Sequence, residues 1–118
     1  MNIEEIREYC LSKPRVTEEL PFDDETIAFK VCDKIFALVS LQKAVLNIKS
    51  EPDKAVALRE QYASVVEPYH MHKKMWNSIL VNNEELPGEL LRSWIDESYR
   101  LVVDKLPKIK QRQTRTFI

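Results

Sequence analysis

The segment Tyr69–Asn77, "YHMHKKMWN", holds the densest group of chemically useful side chains in the chain, including two histidines and two lysines. His70 and His72 are two residues apart, so on an extended strand both rings would project from one face. Zinc sites use three or four protein ligands, and no fourth donor is evident even if Glu67 is counted. Lys73 and Lys74 would also repel a dication. The segment therefore does not predict a metal site.

Catalytic chemistry has little support in the sequence. No serine or cysteine lies in a nucleophile signature such as Gly-x-Ser-x-Gly. Gly88 is the only glycine, which excludes the glycine-rich loops that bind phosphates in nucleotide enzymes. We expect a protein without enzyme activity, metal or cofactor. An enzyme is a weaker alternative, because a histidine could pair with one of 19 carboxylates.

The same segment favours nucleic-acid binding. Lysine side chains neutralise phosphate, histidines donate hydrogen bonds, and the rings of Tyr69 and Trp76 are flat surfaces. Residues on a neighbouring strand and in the C-terminal tail would extend the surface. The predicted DNA-binding residues are His70, His72, Lys73, Lys74, Asn47, Lys49, Lys108, Lys110 and Arg112. The structural alternative is that Trp76 packs in the core, Asn77 and His70 bond backbone in a turn, and the lysines are simply solvated.

Charge is unevenly distributed along a chain whose formal net charge is −1. Acidic residues outnumber basic residues in residues 1–26, whereas residues 105–118 contain basic residues and no acidic residue. We predict one domain, residues 1–107, followed by a basic tail, residues 108–118. The acidic N-terminus does not resemble a signal peptide, and no apolar run is long enough to span a membrane. We therefore expect a cytoplasmic protein, and we also expect a monomer. Cys10 and Cys32 form no disulfide or zinc pattern, so we interpret both as small core residues.

Hydrophobic periodicity predicts the elements that would position these side chains. Asn2 and Glu5 form a capping-box pattern before a first helix that Lys13-Pro14 ends. The second helix begins at Ser50 or Glu51, and the third begins at Pro87 and ends before Pro107. Period-two or continuous apolar patterns predict strands at Val16–Leu20, Thr26–Val31, Ile35–Leu41, Val45–Lys49 and Met75–Val81.

The order of these elements predicts an α+β fold, with an antiparallel β-sheet and helices packed on one face. In the strand Val45–Lys49, alternation turns Leu46 and Ile48 inward, and Asn47 and Lys49 outward. Cys32-Asp33-Lys34 is short enough for a hairpin turn, with Asp33 the residue most tolerant of positive φ.

Five blocks in this order resemble the MmcQ/YjbR family of small bacterial proteins. They are "YCLSKPRVTEELPF", "TIAFKVCDKIFALVSL", "LNIKSEP", "YHMHKKMWNSILV" and "SWIDESYRLVVDKLPK". The resemblance runs from about residue 6 to Pro107. It implies a CyaY-like (frataxin-like) fold and a DNA-binding role. The chain departs from the family pattern at Arg15 and at Cys32-Asp33, where glycines are common, and at His72, where asparagine is common.

Together, the residues and the resemblance predict weak, salt-dependent DNA binding centred on residues 70–74. The main alternative is a non-enzymatic protein-interaction module that uses a frataxin-like sheet face, with the acidic residues 18–25 as the contact. Iron binding like that of frataxin is a third possibility. It would need acids along the first helix, where Arg7 and Lys13 also lie.

Overall fold

A computed structural model describes residues 1–20, 24–68, 72, 74–82 and 85–115 of the chain. These residues form an antiparallel sheet with helices packed on it, which confirms the predicted α+β class. The elements in chain order are α1 (Ile3–Leu11), β1 (Val16–Glu19), β2 (Thr26–Val31), β3 (Lys34–Ser40), β4 (Val45–Lys49), α2 (Pro52–Gln61), β5 (Val65–Val66), β6 (Trp76–Leu80), α3 (Gly88–Val103) and α4 (Lys108–Arg115).

Local sequence signals set most of these boundaries. The capping box before α1 is confirmed, because the Asn2 side chain accepts from Glu5 N–H and the Glu5 side chain accepts from Asn2 N–H. Proline occupies the first turn of α2, where a missing N–H leaves no hydrogen bond unmade. Cys32 and Asp33 connect β2 to β3 with φ angles of 48° and 68°, the positive values that a two-residue hairpin favours.

The six described strands follow the order β1-β2-β3-β4-β6-β5, and every neighbouring pair is antiparallel. Leu46 and Ile48 of β4 join the buried core with Ile6 of α1, Leu58 of α2 and Ile95 of α3. Helices α1 to α3 therefore cover one face of the sheet. Asn47 and Lys49 alternate with the buried pair, as predicted, and lie on the other face.

Two elements were not predicted from the sequence. Strand β5 contains two residues, and helix α4 occupies Lys108–Arg115, within the segment predicted as a basic tail. Of the helices that the structure describes, none combines the length and the apolar character needed to cross a bilayer.

Candidate nucleic-acid interface

Lys49 and Trp76 are partners across β4 and β6 on the sheet face away from the helices. The Lys49 ammonium lies 5.5 Å from the centroid of the indole ring, which is a cation–π contact. The Trp76 side chain is only 8% exposed. The tryptophan is therefore a packed residue covered by a lysine, and its ring is not a free platform for stacking a base.

Asn47 is also tied into the sheet. Its Oδ1 accepts a hydrogen bond from the Ser78 hydroxyl, and its Nδ2 donates to the Leu38 carbonyl over 3.5 Å. Because both ends of the amide have partners, Asn47 has little capacity left for reading a base edge. Its position beside Lys49 makes it a supporting residue of this face.

Lys49 is the most unusual cation of this region. Its backbone N–H donates to Ser98 Oγ over 2.8 Å, which ties the end of β4 to α3. Burial lowers the pKa of the Lys49 ammonium, and the positive charge of Lys105 lowers that pKa further. Within the described residues, neither lysine takes part in an ion pair. Two neighbouring ammonium groups without a carboxylate partner favour the arrival of an anion.

The strand register gathers further cations at the same end of the sheet. Val16 at the start of β1 pairs with Val31 at the end of β2, and Val31 pairs with Lys34 at the start of β3. The end of β4 at Lys49 lies at this end too, because antiparallel neighbours alternate in direction. Arg15 immediately precedes β1. Strand ends far apart in sequence therefore place Arg15, Lys34 and Lys49 along one border.

Helix α4 is held at this border by polar contacts. Arg15 Nη2 donates to Gln113 Oε1 over 2.9 Å, and Gln111 Nε2 donates to the carbonyls of Asp104 and Leu106. The helix brings three more exposed cations. We name as the basic end the residues Arg15, Lys34, Lys49, Lys105, Lys108, Lys110 and Arg112.

Carboxylates are present at both ends of the molecule. At the basic end, Asp33 lies in the β2–β3 turn, Glu51 and Asp53 follow the end of β4, and Asp104 pairs with Arg100 over 3.3 Å. The opposite end contains the starts of α1 and α3, which are near neighbours because Met1 Cγ would lie 3.3 Å from a Cβ built on Gly88. Acidic residues in that half include Glu4, Glu5, Asp24, Glu25, Glu85 and Glu89.

The structure describes only part of the histidine and lysine cluster in residues 69–77. His70 and Lys73 lie outside the described residues, whereas His72 and Lys74 are exposed. Lys74 lines a groove between α2 and β5 together with carboxylates that include Glu60 and Glu67. Of the predicted site residues, the structure thus brings Lys49 together with Lys108, Lys110 and Arg112 at one end, and it places Lys74 beside acids.

Comparison with known proteins identifies the family. The YjbR family model matches residues 11–101. The chain belongs to the YjbR family. It is 39% identical over 114 residues to the Escherichia coli O157:H7 protein YbdF, covering 95% of this chain and 93% of that protein. It is 29% identical over 114 residues to YjbR of E. coli strain K12, and the match covers 95% of this chain and 96% of that protein.

Two crystal structures have a similar fold. Deinococcus radiodurans protein DR2400, described as a DUF419 domain, has a TM-score of 0.87 and 30% sequence identity, covering 96% of this chain and 87% of that one. A Pseudomonas syringae protein has a TM-score of 0.73 and 24% sequence identity, and the match covers 86% of this chain and 98% of that one. This similarity shows the shared fold alone. The α+β sheet described above is therefore shared with both of these structures.

Three cations of the basic end, Arg15, Lys34 and Lys105, were not predicted as site residues of this YjbR-family protein. Arg15 precedes β1, Lys34 begins β3, and Lys105 follows α3, so no short motif connects them. The signal that could have found them is positional. In an antiparallel sheet, the start of one strand meets the end of its neighbour, so charged residues at alternating strand ends share a border.

Asn77 shows a second difference from the sequence interpretation. The structural alternative placed its backbone contact within a turn, and Asn77 does bond backbone, but its Nδ2 donates over 3.1 Å to the Ala55 carbonyl of α2. Its Oδ1 accepts from Arg59 Nη1 over 2.6 Å. The buried amide therefore fastens α2 to β6, which is a structural role.

Proposed function

We propose that this protein binds DNA weakly through its basic end, by contacts to the phosphate backbone. The observation that carries the proposal is the pair Lys49 and Lys105, two neighbouring ammonium groups without an ion-pair partner among the described residues. The other cations of the basic end lie at the same end of the sheet or on helix α4. Binding would release counterions from DNA, and so it should weaken as salt rises.

Phosphate contact, and not base reading, is the mode that these side chains support. Trp76 is covered by Lys49, and both ends of the Asn47 amide have partners in the sheet. The border from β1 to β4 spans three strand spacings, about 14 Å at about 4.8 Å each. B-DNA carries one charge per about 1.7 Å of axis, so this border would face about four base pairs. Sequence preference should therefore be slight.

A salt titration with matched variants tests the proposal. Fluorescence anisotropy with a labelled duplex would measure the dissociation constant between about 50 and 200 mM salt. Lys49→Gln with Lys105→Gln should reduce the slope of log affinity against log salt by about two, because two phosphate contacts are lost. The control is Lys43→Gln with Arg92→Gln, which removes the same charge at the opposite end, where Lys43 lies between β3 and β4 and Arg92 lies near the start of α3.

The control variant should keep the wild-type slope. Equal effects of the two double variants would contradict a localised site, and absence of binding at about 50 mM salt would contradict DNA binding itself. Lys74→Ala should have a smaller effect than Lys49→Gln, since Lys74 lies in a groove that also contains carboxylates.

We further propose that the protein acts in the cytoplasm as a monomer, without enzyme activity, metal or cofactor. Cys10 is buried and burial raises the pKa of its thiol to about 12, so it is a poor nucleophile at neutral pH. Light scattering after size-exclusion chromatography would measure the molar mass and so test whether the protein is a monomer. A mass near 28 kDa, twice the 13.9 kDa of one chain, would contradict it.

A further inference from the structure

A groove of about 820 Å³ lies at the border of the sheet farthest from β1, between helix α2 and strand β5. Strand β5 is the last strand in the described sheet and has only β6 as a described neighbour. An outer strand of this kind leaves one side open to an added extended segment. Neither Lys49 nor Lys105 of the basic end lines the groove.

The groove has an apolar component on each wall. Val56 of α2 is 45% exposed, and Val66 of β5 is 37% exposed. The buried residues of α2 are Ala55 and Leu58, so Val56 is not needed for packing that helix on the sheet. Two exposed valines facing one groove offer apolar area that an aliphatic side chain could cover.

Carboxylates outnumber cations in the groove by three to two. Asp53, Glu60 and Glu67 line it, and within the described residues none of the three takes part in an ion pair or a side-chain hydrogen bond. Arg59 also lines the groove, but its guanidinium donates to the buried Asn77 side chain over 2.6 Å. Lys74 is a cation at the groove. Three carboxylates therefore favour a cationic occupant and disfavour DNA.

The helix sets the spacing of two of these acids. Asp53, Val56 and Glu60 are separated by three and four residues, so they share one face of α2. At about 1.5 Å of rise per residue, Asp53 and Glu60 are about 10 Å apart along the helix axis. In an extended chain, only side chains separated by an even number of residues share a face. A separation of four residues spans about 13 Å at about 3.3 Å each, which the flexible side chains of lysine or arginine can adjust to the spacing of the two acids.

We propose that this groove binds an extended peptide segment of a partner protein, in which two lysines or arginines four residues apart project from one face and the residues between them are aliphatic. The aliphatic side chains cover Val56 and Val66, and the cations pair with Asp53, Glu60 and Glu67. The proposal does not depend on DNA binding, because the two surfaces have opposite charge and different residues.

A defined pair of synthetic peptides tests the inference. The probe is the hexapeptide Lys-Val-Val-Val-Lys-Val with both termini blocked, and the control peptide has glutamate in place of each lysine. Titration of ¹⁵N-labelled protein should shift the amide resonances of Val56, Glu60, Val66 and Glu67 with the lysine peptide at micromolar to millimolar concentration. The glutamate peptide should shift none of them.

Charge reversal separates groove binding from general attraction. Glu60→Lys with Glu67→Lys should weaken peptide binding at least about tenfold, because both partners of the cations become repulsive. Glu8→Lys with Glu89→Lys makes the same change in net charge at exposed positions elsewhere, and it should leave the affinity near that of wild type. Lys49→Gln with Lys105→Gln should also leave it near that of wild type.

Several outcomes would overturn the inference. Among them are no resonance shift at millimolar lysine peptide, shifts located outside the groove, equal binding of the glutamate peptide, and equal loss in the two charge-reversal variants. None of these results bears on DNA binding, which the salt titration tests independently.

Discussion

At the scale of single residues, the backbone angles explain where this chain departs from its family pattern. Arg15, Cys32 and Asp33 have φ angles of 63°, 48° and 68°. These left-handed values favour glycine, which has no Cβ to clash with the backbone. The resemblance named these positions as places where glycine is common, and the structure supplies the reason. The sequence alone predicts positive φ only at Asp33, because arginine and cysteine carry no such signal.

Arg15→Gly should raise the free energy of unfolding by about 1 kcal/mol, because a left-handed conformation costs an L-residue about 1–2 kcal/mol. The loss of the Arg15–Gln113 hydrogen bond offsets a part of this gain. Denaturant unfolding followed by circular dichroism measures the change. Glu8→Gly, in the middle of α1, is the control and should lower the free energy of unfolding by about 1 kcal/mol. Destabilisation by Arg15→Gly would contradict the strain argument.

At the scale of elements, one polar cluster fastens α1 to α3. Asp96 of α3 accepts hydrogen bonds from the Tyr9 hydroxyl over 2.6 Å and from the Lys13 ammonium. That ammonium lies 4.9 Å from the Tyr9 ring centroid and 5.3 Å from the Tyr99 ring centroid. The sequence could not predict this cluster, since Lys13 and Asp96 are 83 residues apart. Only the packing of the two helices brings them together.

The cluster predicts a loss of stability at alkaline pH. Burial, together with the hydrogen bond to Asp96, raises the pKa of Tyr9 to about 12, and burial raises that of Tyr99 to about 12. Unfolded tyrosine has a pKa near 10. Between about pH 10 and 12 the folded state therefore binds more protons than the unfolded state, and the free energy of unfolding falls. The contribution of these two tyrosines to the free energy of unfolding is complete below about pH 10 and is lost as pH approaches 12.

Denaturant unfolding at several pH values checks this loss, with the double variant Tyr9→Phe and Tyr99→Phe as the comparison. Lysines also titrate in this range, so the difference between the two proteins isolates the tyrosines. The double variant should be less stable than wild type near pH 8 but should lose less stability on going to pH 12. Parallel pH profiles would show that the two hydroxyls do not cause the effect.

The elements also show which patterns a sequence reveals. The strands β2, β3, β4 and β6 were predicted because alternation or a continuous apolar run marks them. Strand β5 has two residues, too few for a period. Helix α4 lacks an apolar stripe: Ile109 is 66% exposed, and the buried Thr114 bonds the Gln111 carbonyl within the helix. Hydrogen bonds from Arg15 to Gln113, and from Gln111 to the carbonyls of Asp104 and Leu106, connect this short helix to the rest of the chain.

Removal of residues 108–118 tests what α4 contributes. We expect residues 1–107 to fold, because the core cluster consists of residues before Pro107. The truncated protein should lose about three units of salt slope in DNA binding, one for each of Lys108, Lys110 and Arg112. Circular dichroism and fluorescence anisotropy measure the two properties. A folded truncated protein with an unchanged slope would remove α4 from the proposed interface, and an unfolded one would contradict the predicted domain boundary.

At the scale of the whole molecule, the fold separates charges that the composition averages out. A net charge of −1 argues against a polyanionic partner if charge is spread evenly. The antiparallel sheet instead places Arg15, Lys34 and Lys49 at one end, with Lys105 beside them, while many acids lie toward the other. Field strength at a surface depends on this local arrangement. Composition could not predict the arrangement, because it depends on strand order and register.

Two lysines near opposite ends of β3 provide a test of this charge separation, because the same substitution at either lysine gives the same net charge. Lys34 begins β3 at the basic end, and Lys43 lies in the β3–β4 connection at the opposite end. Both side chains are exposed. Lys34→Glu should weaken DNA binding by about tenfold at about 50 mM salt, because it loses one phosphate contact and adds a repulsive charge. Lys43→Glu changes the net charge equally, yet it should change the affinity less than about twofold, since most of its effect is screened over more than a Debye length. Because the two variants are identical in composition, any difference in their affinities must come from where the fold places the charge, and equal affinities would show that the basic end is not where DNA binds.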